Sequence, residues 1–104
     1  MNLIELVAQL ADPVNLNDFC LRHDSSDLTI YMEAVLGLNS AVELFGREET
    51  GGMIAFEKNG VKYLYVLEVD LAIDLLASDL ELQRKGTTDL DRAKRLLHYA
   101  IYDA

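Results

Sequence analysis

Gly52-Met53-Ile54-Ala55-Phe56-Glu57-Lys58-Asn59-Gly60-Val61-Lys62-Tyr63-Leu64-Tyr65-Val66-Leu67-Glu68-Val69 sets Asn59-Gly60 between two apolar runs. Asn-Gly is the strongest short hairpin signal, because a type I′ turn needs positive φ at both central residues. The turn dictates a register: Lys58 faces Val61, Glu57 faces Lys62, Phe56 faces Tyr63, Ala55 faces Leu64, Ile54 faces Tyr65 and Met53 faces Val66. That register gives one opposite-charge pair and one aromatic pair, cross-strand contacts worth roughly 0.2–1 kcal/mol each. Alternation puts Ile54, Phe56, Tyr63, Tyr65, Leu67 and Val69 on one, aromatic face. Met53, Ala55, Leu64 and Val66 lie on the other, with Glu57, Lys62 and Glu68 at its ends. The second face is smaller and suits helix packing. The aromatic face is left for helices, a partner or a third strand. A two-stranded ribbon is marginal alone, so both faces are expected to be used.

Upstream, residues 2–11 predict a helix: Asn2 and Glu5 have capping-box spacing, and Leu3, Leu6, Val7 and Leu10 form a stripe. Asp12-Pro13 ends it. Residues 15–23 predict a short helix with Leu16, Phe19 and Cys20 on one side, followed by the polar loop His23-Asp24-Ser25-Ser26-Asp27. Leu28, Tyr31, Met32, Val35 and Leu36 then have helical spacing, while Leu28, Ile30 and Met32 alternate and Thr29-Ile30-Tyr31 favours a strand. The helical period holds for longer and is preferred, with a third strand from residues 28–33 as the alternative. Gly37 breaks this element, and Asn39 or Ser40 starts another turn or two through Phe45. Gly46-Arg47-Glu48-Glu49-Thr50-Gly51-Gly52 predicts a loop, flexible or tightly turned.

Downstream, Asp70 is positioned to cap a helix over 71–85, with Ala72, Leu75, Leu76, Asp79 and Leu80 along one side and Gly86 as its terminating glycine. Thr87 or Thr88 caps a last helix over 89–102. Leu90, Ala93, Leu96, Leu97, Ala100 and Ile101 form its buried stripe. Asp91, Arg92, Lys94 and Arg95 lie opposite, a local basic patch. The fold class is α+β: a helix-rich single domain over 1–104, with a central antiparallel β-hairpin (about 53–69) flanked by N- and C-terminal helices.

The 104 residues suffice for one domain, and a hydrophobic share of 51% can build its core. Nine Lys and Arg against eighteen Asp and Glu leave a formal charge of −9. That excess argues against nucleic-acid binding and against docking on an anionic membrane. It favours a basic partner, or solubility alone. No apolar run is long enough to span a bilayer. One cysteine allows no internal disulfide, so a reducing cytoplasm is the expected setting.

Chemistry is sparse. Cys20-Leu21-Arg22-His23 has half of a zinc spacing, but the only other histidine is His98 and a structural site needs four ligands. A Cys20–His23 nucleophilic pair lacks a visible activating environment, and core packing suits Cys20 better. Asp70 and Asp74 lie four apart and suit the solvated face of a helix better than acid–base work. The glycines at 46, 51 and 52 fit no phosphate loop. Tyr99 and Tyr102 either roof the core margin or anchor an interface. The expectation is a protein that is no enzyme and carries no metal or cofactor.

Gly51-Gly52-Met53-Ile54-Ala55-Phe56-Glu57 with Tyr63-Leu64-Tyr65-Val66, followed by two helices ending in Arg95-Leu96-Leu97-His98-Tyr99-Ala100-Ile101-Tyr102-Asp103, joins a small size to strong acidity. In these respects the chain resembles the small cytoplasmic immunity proteins of bacterial contact-dependent growth inhibition and related polymorphic toxin systems. No motif is matched residue by residue. The resemblance implies a role: binding one cognate toxin domain, often a nuclease, in the cell that makes both. The expected surface is acidic, with Asp24 and Asp27 in one loop, Glu48 and Glu49 in another, and Asp70 and Asp74 at a helix start. The alternative is a small adaptor or regulatory subunit that docks or dimerises through the aromatic hairpin face.

Overall fold

The structure, a computed structural model, describes residues 1–24 and 26–102. Ser25, in the polar loop, and Asp103 lie outside them. The elements in chain order are α1 (Leu3–Ala11), α2 (Pro13–Arg22), β1 (Leu28–Glu33), β2 (Val42–Gly46), α3 (Arg47–Thr50), β3 (Ala55–Lys58), β4 (Val61–Glu68), α4 (Val69–Ser78) and α5 (Asp89–Tyr102). The fold is α+β: a four-stranded antiparallel sheet in the order β2-β1-β4-β3, flanked by N- and C-terminal helices.

The hairpin forms as its turn requires. Asn59 and Gly60 have φ of 53° and 79°. The ladder pairs Lys58 with Val61, Glu57 with Lys62, Phe56 with Tyr63 and Ala55 with Leu64. A bond from Tyr65 N to Ile54 O (2.8 Å) extends it by one pair.

Residues 28–36 correct the preferred helix. Residues 28–33 are β1, the third strand, and β1 lies between β2 and β4. Thr29, Ile30, Tyr31 and Met32 are all buried, because a central strand is covered on both faces. Leu28, Ile30 and Met32 keep the two-residue alternation, but Tyr31, Val35 and Leu36 lay a longer helical spacing across it. Val35, expected in that helical stripe, is exposed. The turns expected up to Phe45 are likewise a strand, β2, in which Val42 and Leu44 pair with Met32 and Ile30.

A bulge corrects the faces of the hairpin. Ile30 pairs with Leu67 and Tyr31 with Tyr65, which leaves Val66 as the extra residue of β4. Val66 and Leu67 therefore both enter the main core, and Glu68 turns to the aromatic side opposite Thr29. Strict alternation had put Leu67 with the aromatics.

The helices cover the face carrying Ile30, Met32, Val66 and Leu67. α4 and α5 lie on the sheet, α1 packs on both, and α2 packs on α1. The capping box expected at α1 is present: Asn2 Oδ1 accepts from Glu5 N (2.9 Å) and Asn2 N donates to Glu5 Oε1 (3.1 Å). Asp12 ends α1 and caps α2, with Pro13 in the first helical position. Phe19 is buried, whereas Cys20, expected to pack in the core, is exposed.

α4 ends at Ser78 rather than 85, so Gly86 does not terminate it. Asp79 accepts Arg95 Nε (2.8 Å) and Glu81 N (3.0 Å), which fixes a turn where the helix was expected to continue. Leu80 is left exposed. Nor does Asp70 cap α4: Glu68 holds the cap position and Asp70 sits in the first turn. α5 starts as expected, with Thr88 Oγ1 accepting Asp91 N (3.2 Å) and Asp91 Oδ2 accepting Thr88 N (3.0 Å). Ala93 and Leu96 are buried in its stripe, but Leu90 and Ile101 at its ends are exposed.

Candidate functional site

β2 and β3 are opposite edges of the sheet, so residues 46–54 must cross it. They cross on the aromatic side. α3 turns the chain, Gly51 and Gly52 take φ of 63° and 75°, and Tyr31 Oη donates to Met53 O (2.7 Å). The loop expected over residues 46–52 is instead the last residue of β2, the single turn of α3 and two left-handed glycines. The sheet curls around the aromatic side, bringing rings from its two edges together: Phe45 lies 5.3 Å from Phe56 between ring centroids, and 5.0 Å from Tyr63 of the inner strand β4. Tyr31 is fully buried beneath them, and burial pushes the Tyr65 phenol up from its ordinary value. Of the uses left open for the aromatic face, packing within the chain, on the third strand β1 and on β2, takes most of it.

This crossing also gathers acidic residues. Arg47 N donates to Asp27 O (3.1 Å), which joins the start of α3 to the loop after α2. The Asp27 side chain also lies against Gly46, with Oδ2 2.9 Å from where a Cβ would stand. Asp24, Asp27, Glu48 and Glu49 thus belong to two adjoining segments. Asp24 Oδ1 accepts Ser26 N and Oγ (3.1 and 2.6 Å), which shapes the loop. Glu68 ends β4 beside them and pairs with Arg47 (3.6 Å). Asp70 follows at the first turn of α4, on the helical side of the same rim, and Asp74 lies one helical turn further away. The backbone thus joins the two segments that carry the first four residues, while Asp70 follows Glu68 by two residues and Asp74 lies a helical turn beyond it.

The nearby bases are already engaged. Arg47 is on Glu68, and Lys58 forms a short contact with Glu49 while its Nζ sits 5.4 Å over the Phe45 ring. The Glu49 hydrogen bond raises the Lys58 pKa above its ordinary value. Among the described residues, Glu48, Asp70 and Asp74 form no ion pair. Glu68 was missed as part of this rim, because only the bulge turns it there and no local sequence signal marks the bulge. Compared with known proteins, the chain matches no family model, no curated protein and no solved structure.

The basic patch expected on α5 is largely neutralised. Arg92 pairs with Asp89 (3.0 Å) and Arg95 with Asp79 (2.8 Å). The Arg95 hydrogen bond holds the Asp79 carboxyl below its ordinary range, and the Thr88 backbone N–H does the same for Asp91. An open hollow of about 690 Å³ lies between the 79–87 segment and α5, where Arg84, Lys94 and His98 face Glu81 and Asp91. Its charges are mixed, and no nucleophile–base pair is held in it. Tyr99 packs on the core, while Tyr102 is exposed and stacks on His98 (4.6 Å). The roof reading thus fits Tyr99 alone. No helix among the described residues is long and apolar enough to cross a membrane.

Proposed function

We propose that this chain is an inhibitor of the immunity-protein class, which binds a cognate basic toxin domain and blocks it by contact rather than by chemistry. The observation that supports this most is the joining of the Asp24–Asp27 loop to α3 through Asp27 and Arg47. It concentrates carboxylates at one rim while Arg47 and Lys58 are tied down within the chain. Carboxylates so presented steer a basic domain toward the rim and stand where a nuclease would hold phosphates. A nuclease is the toxin class that this charge fits best. On this reading the protein works in the cytoplasm of the cell that makes both partners. The adaptor reading has less support, because Tyr31, Phe45 and Phe56 pack on one another.

The test is functional neutralisation. The basic protein recovered with this chain from its producing strain is expressed in a sensitive host, alone and together with this chain. Growth arrest by the partner alone, relieved by co-expression, is the expected result. A partner that is harmless alone, or toxicity that co-expression leaves unchanged, would refute the proposal.

A further inference from the structure

The two edges of the sheet differ. At β2 the outward N–H of Val42 donates to Met1 O (2.7 Å), so the N-terminal residues cover the start of that edge. At β3 the Tyr65 N–Ile54 O bond fixes the alternation. Ile54, Phe56 and Lys58 turn their backbone groups toward β4, and Ala55 and Glu57 turn theirs outward. Among the described residues nothing pairs with those outward groups. Ile54, beside them, is 78% exposed and Met53 is 52% exposed. An edge lysine usually discourages strand addition. Here Lys58 is drawn over Phe45 and onto Glu49, away from the edge.

We propose that β3 is a self-association edge, at which a second copy of this chain adds its own β3 antiparallel about a two-fold axis at Phe56. Three registers deserve comparison. An axis at Glu57 sets Glu57 against Glu57, a like-charge pair that is unfavourable. An axis at Ala55 calls on Met53, but Met53 N already donates to Thr50 O (3.3 Å) and Met53 O already accepts Tyr31 Oη. The axis at Phe56 pairs Ala55 with the second copy's Glu57 in both directions. All the outward N–H and C=O groups of the two strands are then satisfied. Phe56 lies opposite its symmetry mate, and Ile54 lies opposite the second copy's Lys58, whose charge is drawn inward. The interface is isologous and closed, as a two-fold dimer requires.

Salt separates this contact from the proposed toxin contact. Two chains of charge −9 repel, so screening strengthens self-association, whereas it weakens binding to a basic partner. The experiment is sedimentation equilibrium over a wide concentration range at low and high salt, with hydrogen exchange on the same samples. The wild-type mass is expected to rise from 11.7 kDa toward twice that value, further at high salt. The amides of Ala55 and Glu57 are expected to slow in step. Ile54→Lys and Glu57→Pro are expected to stay at one chain's mass with an unchanged far-ultraviolet spectrum. If a variant unfolds, the wild-type exchange pattern decides. A wild type that stays at one chain's mass up to near-millimolar concentration in high salt overturns the proposal. So does a dimer in which those two amides exchange as fast as in the monomer.

Discussion

Ala34 has a φ of 65°, a conformation that costs a non-glycine residue roughly 1 kcal/mol or more. It is held there because its N–H donates to Lys62 O (2.9 Å) as the chain leaves β1. Ala34→Gly is therefore expected to stabilise the fold by about 0.5–1 kcal/mol, read from the urea midpoint. A loss of stability would show that the methyl group contributes more than its strain costs. Gly60 is the reverse case. With φ at 79°, Gly60→Ala is expected to cost about 1 kcal/mol by the same measurement. Asp79 and Asp91 contribute to the acid response. Both carboxyls are held below their ordinary range in the folded chain, so the unfolded chain takes up protons first as pH falls. Their contribution is complete above the ordinary carboxylate range and is lost as pH drops through the lowered values. The double variant Asp79→Asn, Asp91→Asn should be less stable at neutral pH and lose less on acidification. An equal acid loss in variant and wild type would place the response elsewhere.

The elements show what the sequence could express. The hairpin was legible from its turn out to the Ile54–Tyr65 pair, because a type I′ turn leaves Asn59-Gly60 one geometry and the geometry dictates the pairs. The expected Met53–Val66 pair does not form, since Met53 N donates to Thr50 O and Val66 is the bulge residue. α1 and α5 were legible from their caps and stripes. β1 was legible only as the alternative, because Tyr31 and Met32, with Val35 and Leu36 beyond the strand, fall at helical spacing from Leu28 and outlast its alternation. The bulge at Val66 was not legible either, since it answers to the fit of β4 against β1 across the sheet. The acidic residues of the site were visible as charges, but their meeting depends on α3 crossing the sheet, a long-range fact. The aromatic cluster that this crossing covers has Phe45 at its centre, in contact with Tyr31, Phe56 and Tyr63. Phe45→Ala is expected to cost about 3–5 kcal/mol in chemical denaturation. A cost below about 1 kcal/mol would mean the cluster collapses around the gap without loss.

At the scale of the whole molecule, a radius of gyration of 13.1 Å fits a chain folded into one dense body, and its charge of −9 then lies within a small surface. Within the acidic rim, Glu48 and Asp70 form no ion pair among the described residues, whereas Glu49 is engaged with Lys58. Glu48→Lys with Asp70→Lys is therefore the cleanest charge reversal. It is expected to slow association with a basic partner by about tenfold or more at low salt and to flatten its salt dependence, with dissociation changing less. A quantitative pull-down from the producing strain, wild type against this double variant, washed at low and high salt, tests the acidic surface directly. One stoichiometric basic partner is expected, held by the wild type at low salt, released at high salt and largely lost by the variant. A partner retained equally by both proteins, or one that resists high salt, would contradict an acidic rim as the binding surface.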